Sequence, residues 1–258
     1  MSSTRKDKEL NLQHTQLLVS VRNGAEIAPA IMGGCEILDF KDPGRGALGQ
    51  VDETTLAMLL EYCRQSSVTT PLSMALGELC EWKTEQKGLK LPPEISYLKL
   101  GFSQCGESRL WVKEWRNLIQ RIEESSGHQH EWIAVAYADW KRADSLSPFE
   151  ILEAASENRC AGLLIDTFSK QNGRLLDLLS PDFLSELIEL ARSRELKIAL
   201  AGSLRIQDLE ILADLKPDII GIRGAACFGH NRTSEIQESA VRTFRKQMNF
   251  SRESMRSG

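Results

Sequence analysis

Asp39 and Lys41 stand two residues apart with Phe40 between them, and the same skip recurs in Tyr97-Leu98-Lys99, Tyr137-Ala138-Asp139 and Leu164-Ile165-Asp166. In an extended segment the outer two residues of each triplet face the same way, because side chains alternate across a strand. Ser20 sits between Val19 and Val21 in the same manner, while Ser203 and Arg223 follow the small and apolar runs Ala199-Leu200-Ala201 and Ile220-Gly221-Ile222. Collected on one side, these residues bring together three cations (Lys41, Lys99, Arg223) and three carboxylates (Asp39, Asp139, Asp166). Two lysines in a partly desolvated pocket suit carbonyl chemistry. Burial and a neighbouring cation lower an ammonium's pKa and free the amine to attack a carbonyl, while the other lysine or an aspartate moves protons. A satisfied interior ion-pair network, or lysines that bind a phosphate or carboxylate, would use the same inventory. Small residues at Gly202-Ser203 and Gly224-Ala225-Ala226 add a separate signal, since backbone N–H groups at such turns hold anions.

The elements that must position these residues follow from periodicity. Short β-prone runs occur at 16–21, 35–41, 68–76, 96–102, 132–139, 161–168, 197–204 and 219–227. Three-and-four spacing of apolar residues predicts helices over 54–65, 111–124 and 181–194, and Ser147-Pro148 and Ser180-Pro181 read as helix starts. The segment after the third strand, 85–93, is polar and proline-bounded and reads as a loop. Eight strands, each followed by a helix or a helix-length segment, over 258 residues predict a single-domain α/β fold, the (β/α)8 or TIM barrel. An open doubly wound sheet ordinarily uses fewer strands. The barrel is expected to span 16–247, with a polar extension at 1–15 and a flexible tail at 248–258. In such a barrel all the polar residues above lie near the carboxyl ends of the strands and point inward, where barrel enzymes keep their sites.

Composition excludes several other classes. The chain is 41% hydrophobic and 26% charged, with a formal net charge of −4, so no global basic field argues for nucleic acid or an anionic membrane. No apolar run approaches the roughly 20 residues of a spanning helix, and the N-terminus has no secretory core, so a cytoplasmic address is expected. Six widely spaced cysteines with no CxxC read as reduced, mostly buried thiols. Trp82, Trp111, Trp115 and Trp140 are expected in the core, and the composition leaves a homo-oligomer open.

Six segments, in order, carry a resemblance: Asp39-Phe40-Lys41-Asp42-Pro43 with Gly46-Ala47-Leu48-Gly49, Tyr97-Leu98-Lys99-Leu100-Gly101, Ala136-Tyr137-Ala138-Asp139, Leu164-Ile165-Asp166-Thr167 with Lys170 and Gly173, Ala199-Leu200-Ala201-Gly202-Ser203-Leu204, and Gly221-Ile222-Arg223-Gly224-Ala225-Ala226-Cys227. From the first strand to the eighth the chain resembles the (5-formylfuran-3-yl)methyl phosphate synthases, also called 4-(hydroxymethyl)-2-furancarboxaldehyde-phosphate synthases, of methanofuran biosynthesis. The resemblance implies a lyase that condenses two molecules of glyceraldehyde 3-phosphate into one furan aldehyde monophosphate; no cofactor is expected, and no metal, because the carboxylates already have cationic partners and no ligand cluster stands out. It makes Lys41 the Schiff-base lysine and Lys99 the proton acceptor, and puts Asp39, Asp166 and Lys170 at further active-site positions. Position and charge nominate Ser20, Asp139, Gly202, Ser203, Arg223 and Gly224 for binding substrate and its phosphates. Asp42 replaces the asparagine usual after the Schiff-base lysine, and Gly77-Glu78-Leu79 departs from the family pattern. The extension, the insert around 76–93 and the cysteine and tryptophan content point to a bacterial branch making a methanofuran analogue for one-carbon metabolism. Two other functions use the same residues: a different Schiff-base aldolase acting on a small sugar phosphate, and a barrel that binds a phosphorylated metabolite without turnover.

Overall fold

Short strands buried on both faces build a closed wall. The computed structural model describes residue 12 and residues 14–82 and 91–249. Its eight strands are β1 (Gln16–Val21), β2 (Ile37–Phe40), β3 (Leu72–Glu78), β4 (Ile95–Gly101), β5 (Glu131–Tyr137), β6 (Gly162–Asp166), β7 (Lys197–Leu200) and β8 (Ile219–Ile222). They close in sequence order, all parallel, with β1 paired to both β2 and β8. The helices are α1 (Ile27–Met32), α2 (Glu53–Gln65), α3 (Trp111–Ser126), α4 (Pro148–Glu157), α5 (Leu175–Leu178), α6 (Pro181–Ser193), α7 (Leu209–Leu215) and α8 (Glu238–Met248). This is the expected (β/α)8 barrel.

The predicted facing holds along β2, β4 and β6, and along β5 as far as Tyr137. Leu38 and Phe40, Leu98 and Leu100, and Leu163 and Ile165 join the large apolar layer between wall and helices, whereas Ile37, Val135, Tyr137 and Leu164 form a separate cluster inside. Trp115 on α3 is fully buried against Phe102, with ring centroids 4.7 Å apart, and stacks on Trp111. All six cysteines are free thiols, and burial pushes Cys35 and Cys160 up to about 12. The serine starts are real caps: the Ser147 and Ser180 hydroxyls accept the N–H groups of Glu150 and Phe183.

Six strands are shorter than their apolar runs, β3, β7 and β8 among them. β7 stops at Leu200 because Gly202 and Ser203 take positive φ (103° and 56°), which extended pairing cannot use. β8 stops at Ile222, and Gly224–Ala226 form a 3₁₀ turn. β3 begins only after Pro71, which has no N–H to pair. After β3 the described residues form a short 3₁₀ turn, Leu79–Trp82; the loop expected over 85–93 lies largely outside the described residues. At the other end α8 continues through Met248, whose side chain is buried; residues 250–258 and 1–11, where the tail and most of the extension were expected, lie outside the described residues. No described helix is long and apolar enough to cross a membrane.

Candidate active site

The inward residues at the carboxyl ends of the strands line one cavity of about 410 Å³ at the barrel mouth. Ser20, Asp39, Lys41, Lys99, Asp166 and Lys170 all reach it, as do Gly202, Ser203, Arg223 and Gly224 from the β7 and β8 loops. Asp39 is fully buried on β2. It receives the Ser20 hydroxyl at 2.8 Å and pairs with the Lys99 ammonium at 2.5 Å. That ion pair spans β3, from β4 to β2, over inward-facing Ser73 and Ala75.

Asp166 at the end of β6 forms the second centre. Burial alone would raise its carboxyl, but Lys170 at 2.6 Å and Lys41 at 3.9 Å, with the N–H of Thr167 at 2.7 Å, hold it at about 2. The three lysines differ in commitment. Lys170 directs its ammonium at Asp166, at the Thr167 carbonyl (2.5 Å) and at the Thr167 hydroxyl (3.0 Å), which accounts for all three donors. Lys99 is locked to Asp39. Lys41 has Asp166 as its one ion-pair partner among the described residues, at the long distance of 3.9 Å. Burial, with help from the Lys99 and Lys170 charges and against the pull of Asp166, lowers Lys41 to about 8. Lys41 is the amine poised to be neutral. Asp42 does not oppose this: its carboxylate accepts the N–H of Gly44 and caps the turn Pro43–Arg45.

Two nominated residues do other work. Asp139 is not among the residues lining the cavity. β5 ends at Tyr137, so the alternation that would have pointed Asp139 inward has stopped, and its carboxylate accepts the N–H groups of Phe168 (2.7 Å) and Ser169 (2.9 Å). It thereby anchors the loop that carries Lys170. Arg223 lies at the cavity but has no donor left for a phosphate. Its Nε–H goes to the Arg232 carbonyl (2.8 Å), and the Nη groups go to Glu26 (2.5 and 2.9 Å), Ser20 O (2.9 Å) and Ser234 O (2.9 Å), which uses all five N–H bonds.

One cavity-lining cation with donors to spare is one that strand reasoning missed. Arg232, half-buried in the loop after β8, lines the cavity and donates one Nη–H to the Gly46 carbonyl at 2.9 Å. Burial depresses its pKa, and Asp166 is the foremost charge opposing that. It sits in an irregular segment, so no periodicity marks it. Also missed was Glu78, which receives the Tyr137 hydroxyl across β4; burial raises both groups, Tyr137 well above its usual range. Gly101 permits this bridge, because a Cβ there would lie 2.4 Å from Glu78 Oε2 and 2.5 Å from Tyr137 Oη.

A closed eight-stranded barrel with paired lysines and carboxylates at its carboxyl mouth defines the class, a (β/α)8 enzyme. Residues 17–245 match the 4-HFC-P synthase family, and the chain belongs to that family. A (5-formylfuran-3-yl)methyl phosphate synthase of Methanopyrus kandleri is 32% identical over 232 residues, covering 88% of this chain and 96% of the relative. The protein of the same name from Methanothermobacter thermautotrophicus is 30% identical over 235 residues, 89% of this chain and 97% of its own. Among solved structures, GGGPS from Thermoplasma volcanium superposes with a TM-score of 0.59 at 10% identity, covering 91% of this chain and 92% of its own, which is a likeness of fold.

Proposed function

We propose that this enzyme is a (5-formylfuran-3-yl)methyl phosphate synthase that joins two molecules of glyceraldehyde 3-phosphate through a Schiff base on Lys41, for methanofuran or an analogue of it. The observation that carries the reading is the ranking of the lysines. Lys170 and Lys99 are tied to carboxylates at 2.6 and 2.5 Å, while Lys41 is loosely paired and lowered to about 8. An amine adds to a carbonyl only when neutral, so Lys41 is the nucleophile.

In this mechanism the Lys41 amine adds to one triose carbonyl and water leaves as the iminium forms. Lys99, once its own proton has passed to the Asp39 carboxylate in contact with it, takes a proton from the carbon beside the iminium. The carbon so activated adds to the second aldehyde. Asp166, kept ionised by Lys170, stabilises the positive iminium beside it. Over the whole reaction two trioses phosphate lose one phosphate and two waters, which balances the furan aldehyde monophosphate. Two phosphate groups need two holders: the turns at Gly202, Ser203 and Gly224 for one, and Arg232 for the other.

Incubation of wild type and Lys41→Ala with glyceraldehyde 3-phosphate tests the reading. Near-ultraviolet absorbance of a conjugated furan aldehyde and released phosphate are expected in step, and both are expected to vanish in the variant. An open-chain product without that absorbance would assign another Schiff-base aldolase instead. Turnover that survives Lys41→Ala would remove the lysine from its role.

A further inference from the structure

Ser73 is the one inward-facing hydroxyl of β3, and the sequence reading gave it no role. It is 1% exposed, it lines the mouth cavity, and its Oγ has no hydrogen-bond partner among the described residues. In the parallel register it stands directly between Asp39 on β2 and Tyr97 on β4, beneath the Lys99–Asp39 ion pair that crosses β3. The neighbouring hydroxyl on β1, Ser20, is satisfied by Asp39 Oδ2. Ser73 has no such acceptor, although alanine, which follows it two residues on at Ala75, fits the same wall. A buried hydroxyl without a partner destabilises a fold, so its presence is explained most simply by a partner that arrives with the ligand.

We propose that Ser73 is a substrate-binding residue whose hydroxyl holds an oxygen of the bound triose on the cavity floor, at the carbon from which Lys99 removes a proton. The chemistry at that place is specific. The ammonium of Lys99 is held in an ion pair with the carboxylate of Asp39, and Ser73 beside them offers a neutral hydroxyl or carbonyl oxygen of a small sugar phosphate one donor that is also an acceptor. Such a contact fixes which carbon of the triose faces Lys99, which is a positioning effect on turnover more than on capture. This inference rests on the synthase reading above for the identity of the triose, and on the geometry alone for the contact.

The test separates the two. Ser73→Ala, and the equal-volume pair Ser73→Thr and Ser73→Val, are compared with wild type in thermal unfolding without ligand, in furan aldehyde formation, and in borohydride trapping of the glyceraldehyde 3-phosphate adduct on Lys41. Removing an unpartnered hydroxyl leaves the melting temperature of Ser73→Ala equal to wild type or higher, while kcat falls tenfold or more. Threonine keeps at least ten times the kcat of valine, which guards the comparison should alanine fold poorly. A Ser73→Ala protein with wild-type kcat and trapping overturns the proposal, and so does one that is active but melts several degrees lower, because the hydroxyl then has a protein partner. If wild type traps the adduct but makes no furan, the synthase reading fails. Ser73 is then judged by the trapped fraction, which its alanine variant must lower.

Discussion

Two arginines that line the cavity differ in how far their hydrogen bonds are committed. Arg223 occupies the inward position at the end of β8 but is saturated by Glu26 and three carbonyls, whereas Arg232 hangs in a loop with one donor committed to Gly46. Replacing Arg223 by Met would take from the buried Glu26 carboxylate its bidentate partner, leaving Arg22 at 3.2 Å, and is expected to destabilise the protein by about 1–3 kcal/mol, the usual effect of losing hydrogen bonds to a buried charge. Arg232→Met leaves no buried charge behind. Its unfolding midpoint in urea should match wild type, while KM for glyceraldehyde 3-phosphate rises about tenfold or more, the loss of a charge-assisted phosphate contact. Equal KM values for wild type and Arg232→Met would return the second phosphate to another group. The position of Arg223 was legible from its strand; its partner Glu26 stands 197 residues away and was not.

At the scale of elements, what period two can reach was readable and what happens after a strand stops was not. The facing of Asp39, Lys41, Lys99 and Asp166 follows from apolar neighbours, and the cavity gathers all four. Asp139 fails the same reasoning because β5 ends two residues earlier and the chain turns. Ser73 and Glu78 were hidden for another reason: their significance comes from side chains that cross a neighbouring strand, which alternation within one strand does not register. Lys99 crosses β3 to Asp39, and Tyr137 crosses β4 to Glu78. Each crossing needs a small residue underneath, and β4 provides Gly101. Gly101→Ala should therefore part Tyr137 from Glu78, with a loss of about 1–3 kcal/mol in chemical denaturation, the ordinary effect of overpacking, while far-ultraviolet dichroism stays that of the barrel. In a Tyr137→Phe background the same alanine should be less damaging, since one of the two clashing atoms is gone, so the double variant loses less than the sum. Additive losses would show that Gly101 does not serve the bridge.

For the whole molecule, the site works against the fold that holds it. Folding takes Lys41 out of water, and its pKa falls from an ordinary 10.5 to about 8. Below pH 8 the lysine is charged in both folded and unfolded chains, and the folded state bears the full penalty, about 3 kcal/mol at pH 7. Between pH 8 and 10.5 the folded protein releases the proton while the unfolded chain keeps it, so this contribution to stability rises with pH, and above 10.5 the penalty is gone. Lys41→Met should thus be inactive yet more stable at pH 7, by up to about 3 kcal/mol, and this gain should shrink to about 1 kcal/mol at pH 9.5. The substitution does not orphan Asp166, which keeps Lys170 at 2.6 Å. Urea unfolding of wild type and Lys41→Met at both values measures it. The same ionisation governs turnover if Lys41 is the nucleophile: kcat/KM should climb with pH and level off above about 8, in step with the stability difference. A variant that is no more stable at pH 7 than at pH 9.5, relative to wild type, would mean that Lys41 is not held desolvated in the free enzyme. The barrel would then have to lower it only when substrate enters.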